Sequence, residues 1–521
     1  MVSEDSEDVD MSVAPSFGSI TYRDPVGLHT FLGEAADHRP QATALRAGDE
    51  QWTFAELDAM ANSAAAFLAG RGIGVGDRVA MMAGNRPEFV MMVFGVLKLG
   101  AAVVMVSPSW KQAEVGHAFS LTSPALVVCD GETPDVLDGL IANDAIVHLD
   151  RDGVHADLVA SPAVRPQTVT DWANREAVLV FSSGTTGMPK AVRHLHGSLE
   201  VGTAHWVSAL GLGPDDRIQV ATPPFHILGL LNLLAAAAAG ASVRLHQRFD
   251  LDALLHHIEA DGITLEMAVA PIALAMANHP DLERYDLSSL RYIMWGATPV
   301  TESVARRVTE RTGVEFLPAY GASEVPVITA NHVGHPDSWR LDSAGLLLHD
   351  VEMRVIDLET GELVSPGATG EIQLKSPSMM AGYLPEEANV DAFDDGWYRT
   401  GDVGWVEADG WLHLTDRVKE MIKVKGFQVA PAEVEAVLHG HPDVTDCAVF
   451  GVADEASGEM VVGAVQLRAD ATATAGDLQT VVAEQLASYK KLSALHVVDE
   501  IPRLPSGKVL RRVLRDQFTA T

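Results

Sequence analysis

The chain has 521 residues and carries 71 Asp and Glu against 37 Lys and Arg, a formal net charge of −34. Such acidity argues against nucleic acid or an anionic membrane as partner, and the length exceeds one core, with about three domain-sized units expected. The two cysteines, Cys129 and Cys447, are far apart without metal-ligand spacing and read as reduced cytosolic thiols.

Residues 1–15 include Glu4-Asp5-Ser6-Glu7-Asp8, acidic where a secretory leader is basic, so disorder and a cytoplasmic location are expected. Compact α/β texture starts near Asp24. Residues 28–36 have helical spacing, and Thr53 can cap a helix running through Ala55-Glu56-Leu57. A strand is expected over 77–82, and Pro87 opens an apolar helix closed by Gly100. Strands follow over 102–106 and 126–128. Alternating strands and helices imply largely parallel, covered sheets.

The apolar run 177–180 reads as a buried strand leading into Phe181-Ser182-Ser183-Gly184-Thr185-Thr186-Gly187-Met188-Pro189-Lys190. Hydroxyls, glycine backbone and one ammonium suit a polyphosphate, although a plain hairpin fits the same composition. Further on, 218–221, 242–245 and 290–295 are expected as strands. The apolar run 227–239 contains Asn232, is too short to span a membrane, and reads as a core helix. Just before it, Pro223-Pro224-Phe225-His226 places an imidazole where it can either pack or wall a pocket. No carboxylate follows Phe225 to meet a substrate ammonium.

Trp295-Gly296-Ala297 ends a strand in small residues that let a flat ring approach the backbone. Tyr320-Gly321-Ala322-Ser323-Glu324 combines a stacking ring, a hydroxyl and a carboxylate able to hold Mg²⁺. From about 344 short strands suggest a small antiparallel barrel, and the Asp402 carboxylate after Tyr398-Arg399-Thr400-Gly401 is expected at a strand end, matching a ribose diol. The cationic stretch 416–428, with Arg417, Lys419, Lys423, Lys425, Gly426 and Gln428, is a local exception in an acidic chain. Pro505-Ser506-Gly507-Lys508 offers one lysine on a turn, the form of a delivered electrostatic catalyst.

In order and wording these stretches resemble the adenylate-forming superfamily of acyl-CoA synthetases, most of all the 4-coumarate–CoA ligase and luciferase branch, over about residues 28–515. The resemblance implies an α/β protein with a large N-terminal domain of two covered sheets plus a small β-barrel (1–415). A small mobile α+β C-terminal domain (416–521) would follow, with its hinge near Lys419. It implies ATP, Mg²⁺ and CoA, with a small-molecule carboxylic acid as substrate, no transmembrane segment, and a homodimer left open.

By the same resemblance, Ser182 to Thr186, Gly187 and Lys190 hold the ATP phosphates. Tyr320 stacks on adenine opposite Gly296 and Ala297, Gly321 and Ser323 lie near the α-phosphate, and Glu324 is the metal ligand. Asp402 and Arg417 hold the ribose, Lys425 and Gly426 approach CoA, and Lys423 and Gln428 serve the catalytic faces of the small domain. Lys508 is the adenylation lysine. His226, Leu228, Asn232 and Trp295 are expected to wall the acid. Leu228 stands where the plant enzymes carry an aromatic residue, and Trp295 and Pro318 where smaller or more polar ones are common. The expected substrate is therefore an unsubstituted aryl or medium-chain acid rather than 4-coumarate. An acyl-AMP ligase loading a carrier protein and a non-catalytic acyl-adenylate or nucleotide sensor are the alternatives.

Overall fold

The computed structural model describes residues 26–131, 134–151, 161–163, 170–182, 189–297, 302–424, 427–454, 458–504 and 507–519. The expectation of disorder for residues 1–15 lies outside them.

Two sheets form the body. One has nine strands, with a parallel centre built from Thr43–Ala47, Ser242–Leu245, Arg217–Val220, Leu265–Ala268, Tyr292–Trp295 and Phe316–Tyr320. The other has seven, with Leu126–Cys129, Arg78–Met82, Ala102–Met105 and Glu176–Ser182 parallel at its centre. These central strands are largely buried, with Gln219, Arg244 and Glu266 among the few polar residues they bury, as expected where both faces of a sheet are covered. The helix Pro87–Lys98 is buried from Phe89 to Lys98. Lys98 pairs with buried Asp58 of the helix Phe54–Ala69 at 2.6 Å. That helix starts as its sequence predicts, with Thr53 and Glu56 forming a capping box.

A third, antiparallel sheet of Glu352–Ile356, Gly370–Lys375, Trp397–Val406, Phe393–Asp394 and Leu412–Arg417 makes a half-barrel, bent at irregularities near Glu371–Gln373 and Val403–Gly404. The C-terminal sheet joins Phe427–Val429, Ile422–Val424, Gly458–Leu467, Val444–Asp454 and Ala494–Val497 around its own apolar core. The helices Pro431–His439 and Ala475–Gln485 cover it. Among the described residues no helix is long and apolar enough to cross a membrane. The apolar helix Ile227–Ala239 is a core helix.

Candidate active site

The glycine-rich stretch is flanked by a hairpin. Glu176–Ser182 pairs antiparallel with Lys190–Leu195, and Ser182 faces Lys190. Hairpin and ligand loop are thus compatible readings of one stretch. Its tip, with Ser183, Gly184, Thr185, Thr186 and Gly187, lies outside the described residues. Ser182 and Lys190 both line a cavity of about 960 Å³. At the base of the tip, His117 Nε2 meets the Pro189 carbonyl at 2.9 Å. Beyond Lys190–Leu195 runs Gly382–Leu384, which sets the Tyr383 ring 5.1 Å from the Lys190 ammonium.

Across the cavity, the strand Phe316–Tyr320 turns sharply at Gly321. A Cβ there would lie 2.1 Å from the Pro326 carbonyl oxygen, so only glycine permits the turn. The turn presents Ser323 and Glu324. His194 Nε2–H donates to the Ser323 carbonyl at 2.7 Å, and the Tyr383 hydroxyl donates to Glu324 Oε1 at 2.7 Å. The Tyr320 hydroxyl donates to Asp402 Oδ2 at 2.6 Å, while Arg417 Nε holds Asp402 Oδ1 at 2.8 Å. Asp402 and Arg417 are register partners on adjacent strands, which explains the pairing.

Burial, and then the Asp402 charge, push the Tyr320 phenol well above its usual range, and Asp402 raises the Arg417 guanidinium. The side chains thus present a neutral phenol and a fixed cation. Tyr320, Gly321, Ser323, Glu324, Arg417 and Lys419 line the cavity, with Asp402 behind Tyr320 and Arg417. Gly296 and Ala297 line it too. Ala297 is left-handed at φ 62°, a conformation that costs a residue with a Cβ about 1 kcal/mol.

Lys508 reaches the same cavity from the C-terminal sheet's side. Its turn closes through Gly507 N–H to the Leu504 carbonyl and Leu504 N–H to the Lys508 carbonyl, both 2.8 Å. The Arg503 guanidinium donates to the Gly507 carbonyl and to Asp446, each at 2.7 Å. Asp446 belongs to Val444–Asp454, so the lysine turn is tied to the C-terminal sheet. Burial, followed by the nearby Arg417 charge, lowers the Lys508 ammonium below the ordinary lysine value.

His226 and Leu228 line the cavity at the start of the helix Ile227–Ala239. A Cβ on Gly229 would meet the Pro223 carbonyl oxygen at 2.3 Å, so this glycine lets the helix seat against Pro223-Pro224. Burial brings the His226 imidazole down to about 4, leaving it neutral.

Several expectations are corrected. Trp295 is outside the cavity lining: strand alternation sends it with Ile293 into a separate core, edge-on to Phe316 at 5.6 Å. Asn232 is fully buried behind the wall, accepting the Trp206 indole N–H at 2.8 Å. Asp402 is not at a strand end, because Trp397–Val406 continues through left-handed Gly401 at φ 69°. Lys423 and Gln428, expected on the faces of the small domain, are cross-strand partners on the C-terminal sheet, away from the cavity, which does not contradict that expectation. Lys425 and Gly426 lie outside the described residues.

Sequence reading also missed contributors. Ser107, Ser109 and Trp110 line the cavity just beyond Ala102–Met105, where the rule that ligands gather at the carboxyl ends of parallel strands points. Tyr383 follows a small-residue turn, Ala381-Gly382, that carried no signal of its own. Trp206, deep in the helix His196–Leu210, looks like any core aromatic until its partner is known.

The family follows from comparison with known proteins. Residues 32–384 match the model described as AMP-binding enzyme, and residues 433–508 match the AMP-binding enzyme C-terminal domain. The chain belongs to the AMP-binding enzyme family. Among relatives of this AMP-binding enzyme, 4-coumarate–CoA ligase 2 of Oryza sativa subsp. japonica is 34% identical, covering 95% of this chain and 92% of its own. Among solved structures, ATP-bound MatB from Rhodopseudomonas palustris matches with TM-score 0.88 and 26% identity, covering 95% of this chain and 99% of its own. The anthranilate CoA ligase AuaEII in complex with anthranoyl-AMP matches with TM-score 0.88 and 25% identity, over 95% and 98%. The fold is that of adenylate-forming enzymes.

Proposed function

We propose that this AMP-binding enzyme is a carboxylate–CoA ligase that acts in two steps on an aryl or medium-chain acid. The acid's carboxylate oxygen bonds to the α-phosphorus of ATP as the bond to pyrophosphate breaks, giving an acyl-adenylate. The CoA thiol then attacks the acyl carbon, forming a thioester and releasing AMP. The observation that carries this reading is that Lys508, Lys190 and Arg417 share one cavity with Glu324, Tyr320 and His226.

Lys508 offsets the charge that develops at the α-phosphorus, where a preorganised cation in a site screened from water is most effective. Lys190 and the glycine-rich tip hold the leaving pyrophosphate. Tyr320 and Gly296-Ala297 sandwich the adenine, and Asp402, pre-oriented by Tyr320 and Arg417, accepts from the ribose. Neutral His226 walls the acid without adding charge. The donor set suits Mg²⁺: Glu324 is a lining carboxylate beside a serine hydroxyl, and this ion takes its remaining ligands from phosphate oxygens and water. When bound, the ion would neutralise phosphate charge.

For the second step, the C-terminal unit turns about the segment near Lys419, withdrawing Lys508. It brings up the paired strands of Lys423 and Gln428, and Lys425 and Gly426 serve CoA. Pyrophosphate release from a panel of aryl and straight-chain acids, with and without CoA, tests the whole scheme. Release without CoA and thioester with it are expected. Adenylate that forms but passes only to a carrier-protein thiol would favour an acyl-AMP ligase, and no release with any acid would favour a sensor.

A further inference from the structure

The helix Ile227–Ala239 gives the acid side of the cavity a direction. Leu228 lies in its first turn, and Asn232 follows four positions later on the same face. Against Asn232 stands Trp206 of the helix His196–Leu210, its indole N–H donating to Asn232 Oδ1 at 2.8 Å. Trp206 lines the cavity yet is only 3% exposed, and Asn232 is wholly buried behind it. A buried indole N–H needs an acceptor. Among the described residues, Asn232 supplies that acceptor while its own Nδ2 has no partner. One hydrogen bond therefore ties a large flat ring to the floor of the cavity, one helical turn beyond Leu228.

We propose that Trp206 is the stop that sets how long an acid the cavity accepts, and that Asn232 is the positioning residue holding that stop. The inference rests on the acid-activating reading above. Any acid laid along the helix face from His226 past Leu228 meets the indole next. Its plane is fixed at the nitrogen by Asn232, so the ring cannot swing aside without leaving two buried polar groups unpaired.

The full-length protein and the variants Trp206→Ala, Trp206→Leu, Asn232→Leu and the double variant Trp206→Ala/Asn232→Leu test this. Straight-chain acids from hexanoate to hexadecanoate and ω-phenylalkanoates of rising length are titrated calorimetrically without ATP, and the same acids are assayed for pyrophosphate release. Trp206→Ala should move the length cut-off outward by two carbons or more, each added methylene binding about fourfold tighter where it finds room. The KM for ATP should not change. Trp206→Leu should move the cut-off less. Asn232→Leu should blur the cut-off in the wild-type background but add nothing to Trp206→Ala, a dependence that a merely structural asparagine would not show. Superimposable binding profiles for the wild type and Trp206→Ala, no cut-off in the wild type, or no binding by any of the five proteins at any length would overturn the stop. A shifted binding profile without pyrophosphate release from any protein would instead refute acid activation and leave the stop standing.

Discussion

Replacing Lys508 by alanine should separate the two half-reactions. Loss of one preorganised charge contact costs about 10²–10³-fold in rate, so adenylate formation should fall by that much. Thioester formation from preformed acyl-AMP should be nearly untouched, and equal losses in both would refute the assignment. Burial and Arg417 lower the Lys508 ammonium, so the charged form disappears at a lower pH than for an ordinary lysine, near 10.4. The rate of adenylation should decline on the alkaline side correspondingly early, and Lys508→Arg should push that decline upward. At this scale the candidate chemistry was legible, because a lone lysine on a glycine turn is a local signal. What no local signal carried was the company it keeps: Tyr383 on Glu324 and Trp206 on Asn232 are pairs drawn from separate elements, 59 and 26 residues apart.

The helix Ile227–Ala239 shows how an element positions a site through one missing side chain. Its first turn can press against Pro223 only because residue 229 has no Cβ. Gly229→Ala should push that turn away and carry His226 and Leu228 with it. The expected result is a fall of roughly tenfold or more in kcat/KM for the acid, as displacement of a positioning group commonly produces, with the KM for ATP nearly constant. Equal losses for both substrates would mean that the helix start does not orient the acid. Elements with local determinants were readable in advance: Thr53 and Glu56 close a capping box, and Pro87 opens a helix. Trp295 was not, because alternation fixes that neighbours point oppositely but not which face meets the cavity. Asp402 was misplaced for a related reason: a glycine that looks like a strand's end also lets a strand bend and continue.

The molecule as a whole carries opposing titrations. Burial lowers His29, His194, His205, His226 and His246 to about 4, and His196 to about 3. Each contributes stability that is present above the unfolded value near 6.5 and lost as pH falls through the folded one. Glu266 runs the other way. Buried in the nine-stranded sheet and bonded to Gln219 at 2.5 Å, it is raised from 4.5 to about 8. Its contribution is present below 4.5 and lost as pH rises through 8. Melting temperature should therefore peak at about pH 7, where the histidines are mostly neutral in both states. Glu266→Gln should flatten the decline between about pH 7 and 8 and steepen the acid limb above pH 4.5, where Glu266 opposes the histidines; a decline of undiminished slope would show that Glu266 is not its source. The same long-range architecture has a consequence for synthesis. The strand that sets Tyr383 against Lys190 lies nearly two hundred residues downstream of it. At about 5–20 residues per second, a growing chain would wait roughly 10–40 s for that strand to emerge, and longer for Lys508. The glycine-rich loop thus leaves the ribosome well before anything that could make it productive, and a truncated product would lack its chemistry.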